Sequence, residues 1–177
     1  MSVLIVSTGL GANPKSLLLA REAERVLRAD GTAVTLLDLR ELPLPLCGSA
    51  ESFSDPNTAR GLALVSAASA VILTTPIYNY DANAVAKNFI ELTGNGWENK
   101  VVAFLCAAGG EKSFMSVMPL ANSLMLDFRC VIVPRFVYAT GPAFAKDGAI
   151  ADAAIAARIA QCARATAKLA AAVTAAG

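Results

Sequence analysis

Five short apolar runs alternate with helical segments along the chain, and this alternation limits the possible folds more than any other feature. Each run is rich in aliphatic and β-branched residues, as expected of a strand buried on both faces. The predicted strands are residues 2–7, 33–39, 70–75, 100–107 and 130–137. The predicted helices are residues 14–30, 58–69, 82–94, 112–128 and about 150–175. Because strand–helix–strand units form right-handed crossovers, the pattern predicts a parallel sheet with helices on both sides.

Five parallel strands fit the flavodoxin-type order 2-1-3-4-5 better than a six-stranded dinucleotide-binding sheet. We therefore expect an α/β protein with a three-layer α/β/α flavodoxin-like sandwich, in one domain that spans residues 1–177. In such a sheet the ligand binds beyond the C-terminal strand ends, where the strand order reverses between strands 1 and 3. This rule selects three loops as the candidate site: residues 7–16, 75–83 and 107–113.

Local residue types refine the helices. Asn13 suits the N-cap of the first helix and Pro14 its first helical position. Pro119 should kink the helix over 112–128 or mark a break in it. The last helix is rich in alanine, and residues at steps of three and four form a seam that should pack on the sheet. These residues are Ile155, Ile159, Cys162, Thr166, Leu169 and Val173.

Charge and composition argue against several kinds of function. A net charge of +1 gives no overall field that would attract nucleic acid. The chain has no histidine, and its four cysteines form no C-x-x-C pair, which argues against a zinc site and against Ser-His or Cys-His catalysis. No apolar run reaches the roughly 20 residues of a membrane span, and the first residues lack a basic leader. We expect a cytoplasmic protein with no membrane partner and no metal.

The loop "STGLGANPKS" (7–16) nearly fits two phosphate-binding patterns and completes neither, because Pro14 stands where each needs glycine. The loop leads into a helix N-terminus, whose free N–H groups and positive dipole end attract an anion. It therefore suits one terminal phosphate held by the loop's polar side chains, which are Ser7, Thr8, Asn13, Lys15 and Ser16. Two alternatives stay open: a dinucleotide site in which Asp38 binds the ribose, and an ordinary turn of small residues.

The stretch "TTPIYNYDANAVAKNFIEL" (74–92) carries the strongest motif, Pro76-Ile77-Tyr78-Asn79 followed by Lys87-Asn88. Together with the turn "CAAGGEKSF" (106–114) and the run Val131-Ile132-Val133-Pro134, it resembles the NAD(P)H-dependent FMN reductases of flavodoxin-like fold. That family includes quinone, azo-dye and chromate reductases. The resemblance covers nearly the whole chain, and the motifs occur in the family's order.

The resemblance implies residue roles around FMN. Ser7, Asn13, Lys15 and Ser16 would hold its phosphate. Pro76, Ile77, Tyr78 and Asn79 would line the isoalloxazine ring, and Ala108, Gly109 and Gly110 would approach its pyrimidine edge. The chain departs from the family in lacking the usual arginine of the phosphate loop, so that Lys15 is its only cation. Asn88 should buttress the 76–79 loop, while Tyr80 and Trp97 are either rim aromatics or packing residues.

The resemblance also implies a reaction. NADH or NADPH would pass hydride to flavin N5, and a quinone-like or other small acceptor would then take the electrons, so no catalytic side chain is required. Family members are commonly homodimers or homotetramers. Three alternatives remain: a flavodoxin-like electron carrier, a receiver-type signalling domain, and a binding module without enzyme activity. No arginine cluster for the 2′-phosphate of NADPH can be assigned from the sequence.

Overall fold

The computed structural model describes residues 1–176. Its strands are β1 (Ser2–Ser7), β2 (Ala33–Asp38), β3 (Ala70–Tyr78), β4 (Asp81–Ala82), β5 (Val101–Ala108), β6 (Val131–Ile132) and β7 (Val137–Ala139). Its α-helices are α1 (Lys15–Ala29), α2 (Pro56–Ala67), α3 (Ala84–Thr93), α4 (Met118–Phe128) and α5 (Ala153–Ala176). Two short 3-10 turns, Gly94–Trp97 and Gly141–Ala143, follow α3 and β7.

The strands form one sheet in the order β2-β1-β3-β5-β6, with β7 also paired to β5. The main strands are parallel, and the order matches the predicted flavodoxin-like arrangement. The predicted count of five strands is wrong, because the described residues form seven. The predicted fifth strand is divided: Val131 pairs with the start of β5 and Val137 with its second half. Pro134 and Arg135 separate the two pieces, and the positive φ of Arg135 is incompatible with a continuous strand.

Besides the divided fifth strand, the structure contains a short strand that was not predicted, β4. It pairs antiparallel with the end of β3, where Tyr78 lies opposite Asp81. The two residues between them, Asn79 and Tyr80, have φ values of 50° and 64°. Positive φ at both positions is typical of a type I′ hairpin turn. Asn79 adopts this conformation easily, whereas the bulky Tyr80 is strained in it. The Pro76–Asn79 motif therefore ends in a tight hairpin rather than an open loop.

Alternate residues of the strands face opposite helix layers. Leu4 and Val6 of β1 belong to the core beneath α2, α3 and α4, whereas Val3 and Ile5 belong to the core beneath α1 and α5. The predicted seam of α5 lies in this second core: Ile159 and Cys162 are buried there. None of the helices within residues 1–176 combines the length and the apolar character needed to cross a bilayer.

Prolines account for how the starts of α1 and α4 differ from the prediction. Pro14 itself is the N-cap of α1, with extended ψ, and no side chain caps the helix, so the N-cap assigned to Asn13 is wrong. Helix α4 begins at Met118 rather than at residue 112, and Pro119 lies in its first turn. Proline is accepted there because the N–H it lacks would have no partner within the helix.

Candidate functional site

The C-terminal ends of β1, β3 and β5 bring the three predicted loops to one edge of the sheet. Ser7 at the end of β1 lies beside Thr74 of β3, and Ile77 at the end of β3 lies beside Ala108 of β5. The loop after β1 is attached directly to β3, since the backbone N–H of Thr8 donates to the carbonyl of Thr74 at 3.0 Å. The parallel register thus assembles one site from residues about a hundred positions apart in the chain.

Two buried hydroxyl groups lie in this region, one at the end of β1 and one in the first turn of α1. The side chains of Ser7 and Ser16 are fully buried, and neither hydroxyl has a hydrogen-bond partner among the described residues. The loop folds closely over Ser16, because a Cβ at Gly9 would lie only 2.5 Å from Ser16 Oγ. A buried hydroxyl group costs free energy unless it is hydrogen-bonded. Unpartnered hydroxyls and the free N–H groups of a helix start are donors of the kind that fits a phosphoryl group.

Asn83, which the sequence analysis did not select, joins this loop to β3 and α3. Its Nδ2 donates to the carbonyl of Thr8 at 2.7 Å, and its Oδ1 accepts from the hydroxyls of Thr8 at 2.8 Å and Thr75 at 3.1 Å. Oδ1 also accepts from the N–H of Ala86 at 3.2 Å, so Asn83 is the N-cap of α3. An asparagine just before an apolar helical stretch is an N-cap signal that could have identified it.

A second cation reaches the first loop from the segment that follows β2. Arg40 donates from Nη1 to the carbonyl of Ala12 at 2.9 Å, so Lys15 is not the loop's only cation. Lys15 Nζ lies over the ring of Phe144, 5.3 Å from its centroid. Arg40 could not be selected from the sequence, because the loop after β1 and the loop after β2 come together only through the pairing of these two strands.

Asp38, the alternative ribose ligand, is occupied by Arg40. Arg40 donates from Nη2 to Asp38 Oδ2 at 2.6 Å and from Nε to both carboxylate oxygens. Burial of the Asp38 carboxyl opposes its ionisation, but the hydrogen bonds from Arg40 outweigh this, and the pKa of Asp38 lies below its usual value. A carboxylate paired in this way is poorly available to a ribose, which weakens the dinucleotide interpretation.

A cavity of about 420 Å³ lies beyond the ends of β3 and β5. Five of the residues predicted to surround a flavin ring line it: Ile77, Asn79, Ala108, Gly109 and Gly110. Tyr80 and Ser113 line it as well, whereas Pro76 and Tyr78 do not. A Cβ at Gly109 or Gly110 would meet no atom within 4 Å, so this wall of the cavity is open. A flat ring could therefore approach the backbone closely there.

Tyr138 of β7 braces the turn after β5. Its hydroxyl donates to the carbonyl of Gly110 at 2.5 Å and accepts from the N–H of Ser113 at 3.2 Å. These two hydrogen bonds hold the turn that forms one wall of the cavity. The sequence offers no local signal for this role, since Tyr138 lies 28 positions from Gly110.

Two residues near the 76–79 motif have other roles than expected. Asn88 does not buttress that segment: it accepts from the N–H of Cys47 at 2.8 Å and donates to the carbonyl of Pro45 at 2.9 Å, which fixes the loop between β2 and α2. Trp97 is fully buried, and its Nε1 donates to Thr93 Oγ1 at 2.7 Å, so it is a packing residue. Tyr80 is largely exposed at the rim of the cavity.

Comparison with known proteins shows the family to which this chain is similar. A family model described as "NADPH-dependent FMN reductase" matches residues 1–145. An NAD(P)H-dependent FAD/FMN reductase of Geobacillus thermodenitrificans (strain NG80-2) is 26% identical over 130 residues, which cover 72% of this chain and 70% of that protein.

Two solved structures share the fold. FerB, a flavoenzyme NAD(P)H:(acceptor) oxidoreductase from Paracoccus denitrificans, superimposes with a TM-score of 0.78 at 18% identity and covers 96% of both chains. An azoreductase from Bacillus anthracis str. Sterne superimposes with a TM-score of 0.67 at 18% identity, over 95% of this chain and 100% of that one. These likenesses confirm the flavodoxin-like class of the fold.

Proposed function

We propose that this chain, which belongs to the family of NADPH-dependent FMN reductases, passes electrons from NAD(P)H through FMN to a small quinone-like acceptor. Family membership makes it an NAD(P)H-dependent flavin oxidoreductase. We propose in addition that the acceptor is quinone-like, that the protein is located in the cytoplasm, and that specific residues of the candidate site hold FMN.

The phosphate of FMN is proposed to lie at the start of α1. The observation that carries this assignment is the pair of buried, unpartnered hydroxyls of Ser7, at the end of β1, and Ser16, in the first turn of α1. Asn13 and Lys15 would add to these two, with Arg40 as a further cation, whereas the hydroxyl predicted for this role at Thr8 already donates to Asn83 Oδ1. Serine and threonine hydroxyls, free N–H groups and cations are together the donors that a phosphate dianion requires.

The isoalloxazine ring is proposed to occupy the cavity beyond β3 and β5. Ile77 and Asn79 would border it on one side, and Ala108, Gly109 and Gly110 on the other. Pro76 and Tyr78 would act through the backbone of the strand and hairpin that carry Ile77 and Asn79. When bound, FMN supplies the hydride-transfer chemistry, and the chain supplies binding and orientation. Backbone N–H groups of the β5 turn would favour negative charge on the pyrimidine edge of the ring.

An assembly of two or four copies is part of the proposal. It is supported by the neighbouring apolar side chains of Met125 and Leu126 on α4, which are 41% and 76% exposed. Exposed apolar surface is typical of association sites. Light scattering coupled to size-exclusion chromatography would test the assembly, and a strictly monomeric protein would contradict it.

Gly109→Val tests the position of the flavin ring. A Cβ at Gly109 meets no protein atom within 4 Å, so the variant should fold normally, while its side chain would project into the cavity. We expect FMN affinity to fall by roughly tenfold or more, since overpacking a closely fitted site costs about 1–3 kcal/mol. Titration with FMN, followed by flavin fluorescence, measures the affinity.

Gly109→Ala is the graded control, with a smaller expected loss, and the thermal unfolding temperature of the flavin-free variants should match that of the parent. If Gly109→Val bound FMN with wild-type affinity, the ring could not lie in this cavity.

Oxidation of NAD(P)H by the FMN-loaded parent tests the activity itself. A protein that binds FMN but oxidises neither NADH nor NADPH would be an electron carrier instead.

A further inference from the structure

We propose that a groove at the edge of the sheet beyond β7 holds the phosphorylated adenosine end of NADPH, an inference that rests on the function proposed above. The groove consists of two adjoining cavities of about 460 and 470 Å³ that share Arg135 and Arg158. We call it the edge groove and define it by these two arginines together with Phe114, Met118, Tyr138 and Lys168.

The edge groove begins next to the cavity proposed for the flavin ring. Ser113 lines the ring cavity, and its N–H donates to the hydroxyl of Tyr138, which lines the edge groove. A nicotinamide stacked on the ring would therefore have its ribose and diphosphate close to the mouth of the groove. Phe114 and Met118 form an apolar wall there, against which the nonpolar parts of a nucleotide can pack.

The charge of the edge groove favours phosphate. Arg135, Arg158 and Lys168 line it, and no acidic residue does. Within residues 1–176 none of these three cations forms an ion pair, whereas Arg164 on the same helix pairs with Asp30 at 2.7 Å. Arg158 uses one N–H to bind the carbonyl of Phe136 at 3.2 Å, which holds the guanidinium at the groove while its other donors remain available. Arginine side chains with free donors are well suited to phosphate oxygens.

The spacing of the cations favours a long ligand. Arg158, Cys162, Ala165 and Lys168 form one stripe of α5 that faces the groove. Arg158 and Lys168 are ten positions apart, which corresponds to roughly 15 Å along the helix axis. A single small anion cannot contact both ends, whereas a dinucleotide can place its diphosphate near Arg135 and Arg158 and its 2′-phosphate near Lys168.

A competing basic cavity of about 460 Å³ lies along α1 and is lined by Lys15, Arg21, Arg40 and Lys146. It adjoins the loop proposed for the FMN phosphate, at the opposite end of the flavin from the ring that must meet the nicotinamide. Arg40 is already paired with Asp38, and Asp147 also lines the cavity. The edge groove therefore fits the phosphates of NADPH better than this cavity does.

The test is direct binding of adenosine 2′,5′-bisphosphate to the flavin-free protein, measured by isothermal titration calorimetry. Arg158→Gln and Lys168→Gln should each weaken binding about tenfold, as expected for the loss of one charge-assisted contact. With FMN bound, Lys168→Gln should raise KM for NADPH several-fold more than KM for NADH, whereas Arg158→Gln should raise both KM values because both dinucleotides carry the diphosphate; neither variant should change kcat or FMN affinity.

Arg164→Gln is the matched control, because it removes the same charge from the same helix outside the groove, and its binding should equal that of the parent. Arg21→Gln reports on the competing cavity. Unchanged binding in Arg158→Gln and Lys168→Gln, or a loss confined to Arg21→Gln, would overturn the proposal. The calorimetry does not need turnover: a protein that bound the bisphosphate at the groove yet oxidised no NADPH would disprove only the function.

Discussion

At the scale of single residues, Asn83 holds more of the candidate site together than any residue that the sequence motifs pointed to. Its amide bonds the carbonyl and hydroxyl of Thr8, the hydroxyl of Thr75 and the first turn of α3. The residue is buried, so each of these hydrogen bonds is shielded from water. It thereby fixes the first loop relative to the hairpin that borders the ring cavity.

Asn83→Ala should lower the free energy of unfolding by about 1–3 kcal/mol, because buried partners lose their hydrogen bonds. FMN affinity should fall as well, since the first loop is no longer attached to α3. Urea denaturation and FMN titration measure the two effects. Asn88→Ala is the control from the same helix: it should cost stability through the loop at Pro45 and Cys47 and leave FMN affinity unchanged. Equal FMN affinity in both variants would contradict the role of Asn83.

At the scale of elements, the contact between α2, α3 and the 3-10 turn Gly94–Trp97 depends on one large side chain, that of Trp97, and on two glycines. Trp97 packs edge-on against Phe89, with ring centroids 6.1 Å apart. A Cβ at Gly61 would lie 3.1 Å from the Phe89 ring, and one at Gly96 would lie 2.9 Å from the side chain of Leu62. The two glycines let the elements approach closely enough for Trp97 to be completely enclosed.

Trp97→Ala should therefore destabilise the protein by about 3–5 kcal/mol, the usual cost of an aromatic-sized cavity. Because Trp97 is the sole tryptophan, unfolding is best followed by circular dichroism. Phe53→Ala, which truncates an aromatic side chain that is mostly exposed, should change stability by no more than about 0.5 kcal/mol. If both variants lost the same stability, the enclosure of Trp97 would not be its source.

At the scale of the whole molecule, burial determines the chemistry of the cysteines. Burial raises the pKa of Cys106 to about 12 and the pKa values of Cys130 and Cys162 to about 11. Cys47 alone among the four is only half-buried. Since the thiolate is the reactive form, the three buried thiols are inert while the protein stays folded.

A disulfide reagent at neutral pH should therefore modify one thiol quickly in the native protein and all four after unfolding. Cys47→Ser should abolish the fast reaction. Stability should also fall as the pH rises above about 9, because the unfolded thiols then lose protons that the folded thiols keep. Fast modification of two or more native thiols, or stability unchanged into the alkaline range, would contradict this description.

Local sequence patterns were sufficient for the strand order and for the three loops that meet at the candidate site. Strand runs, helix periodicity and the right-handed crossover are properties of neighbouring residues, so they can be read without tertiary contacts. The individual residues around the ring were implied by the family resemblance instead, and three of them, Ile77, Asn79 and Gly109, line one cavity. Local information failed for the predicted fifth strand, whose interruption at Arg135 depends on how the chain pairs with β5.

Tertiary structure alone decided the contacts that join distant segments. Three hydrogen bonds join residues that are 28 to 75 positions apart. Arg40 donates to the carbonyl of Ala12, Asn83 to that of Thr8, and Tyr138 to that of Gly110. The cations of the edge groove, Arg135 and Lys168, likewise come from different elements. Such contacts depend on where strands pair and helices pack, and no local propensity encodes them. The sequence by itself thus determined the framework and the place of the site, whereas folding decided which side chains complete it.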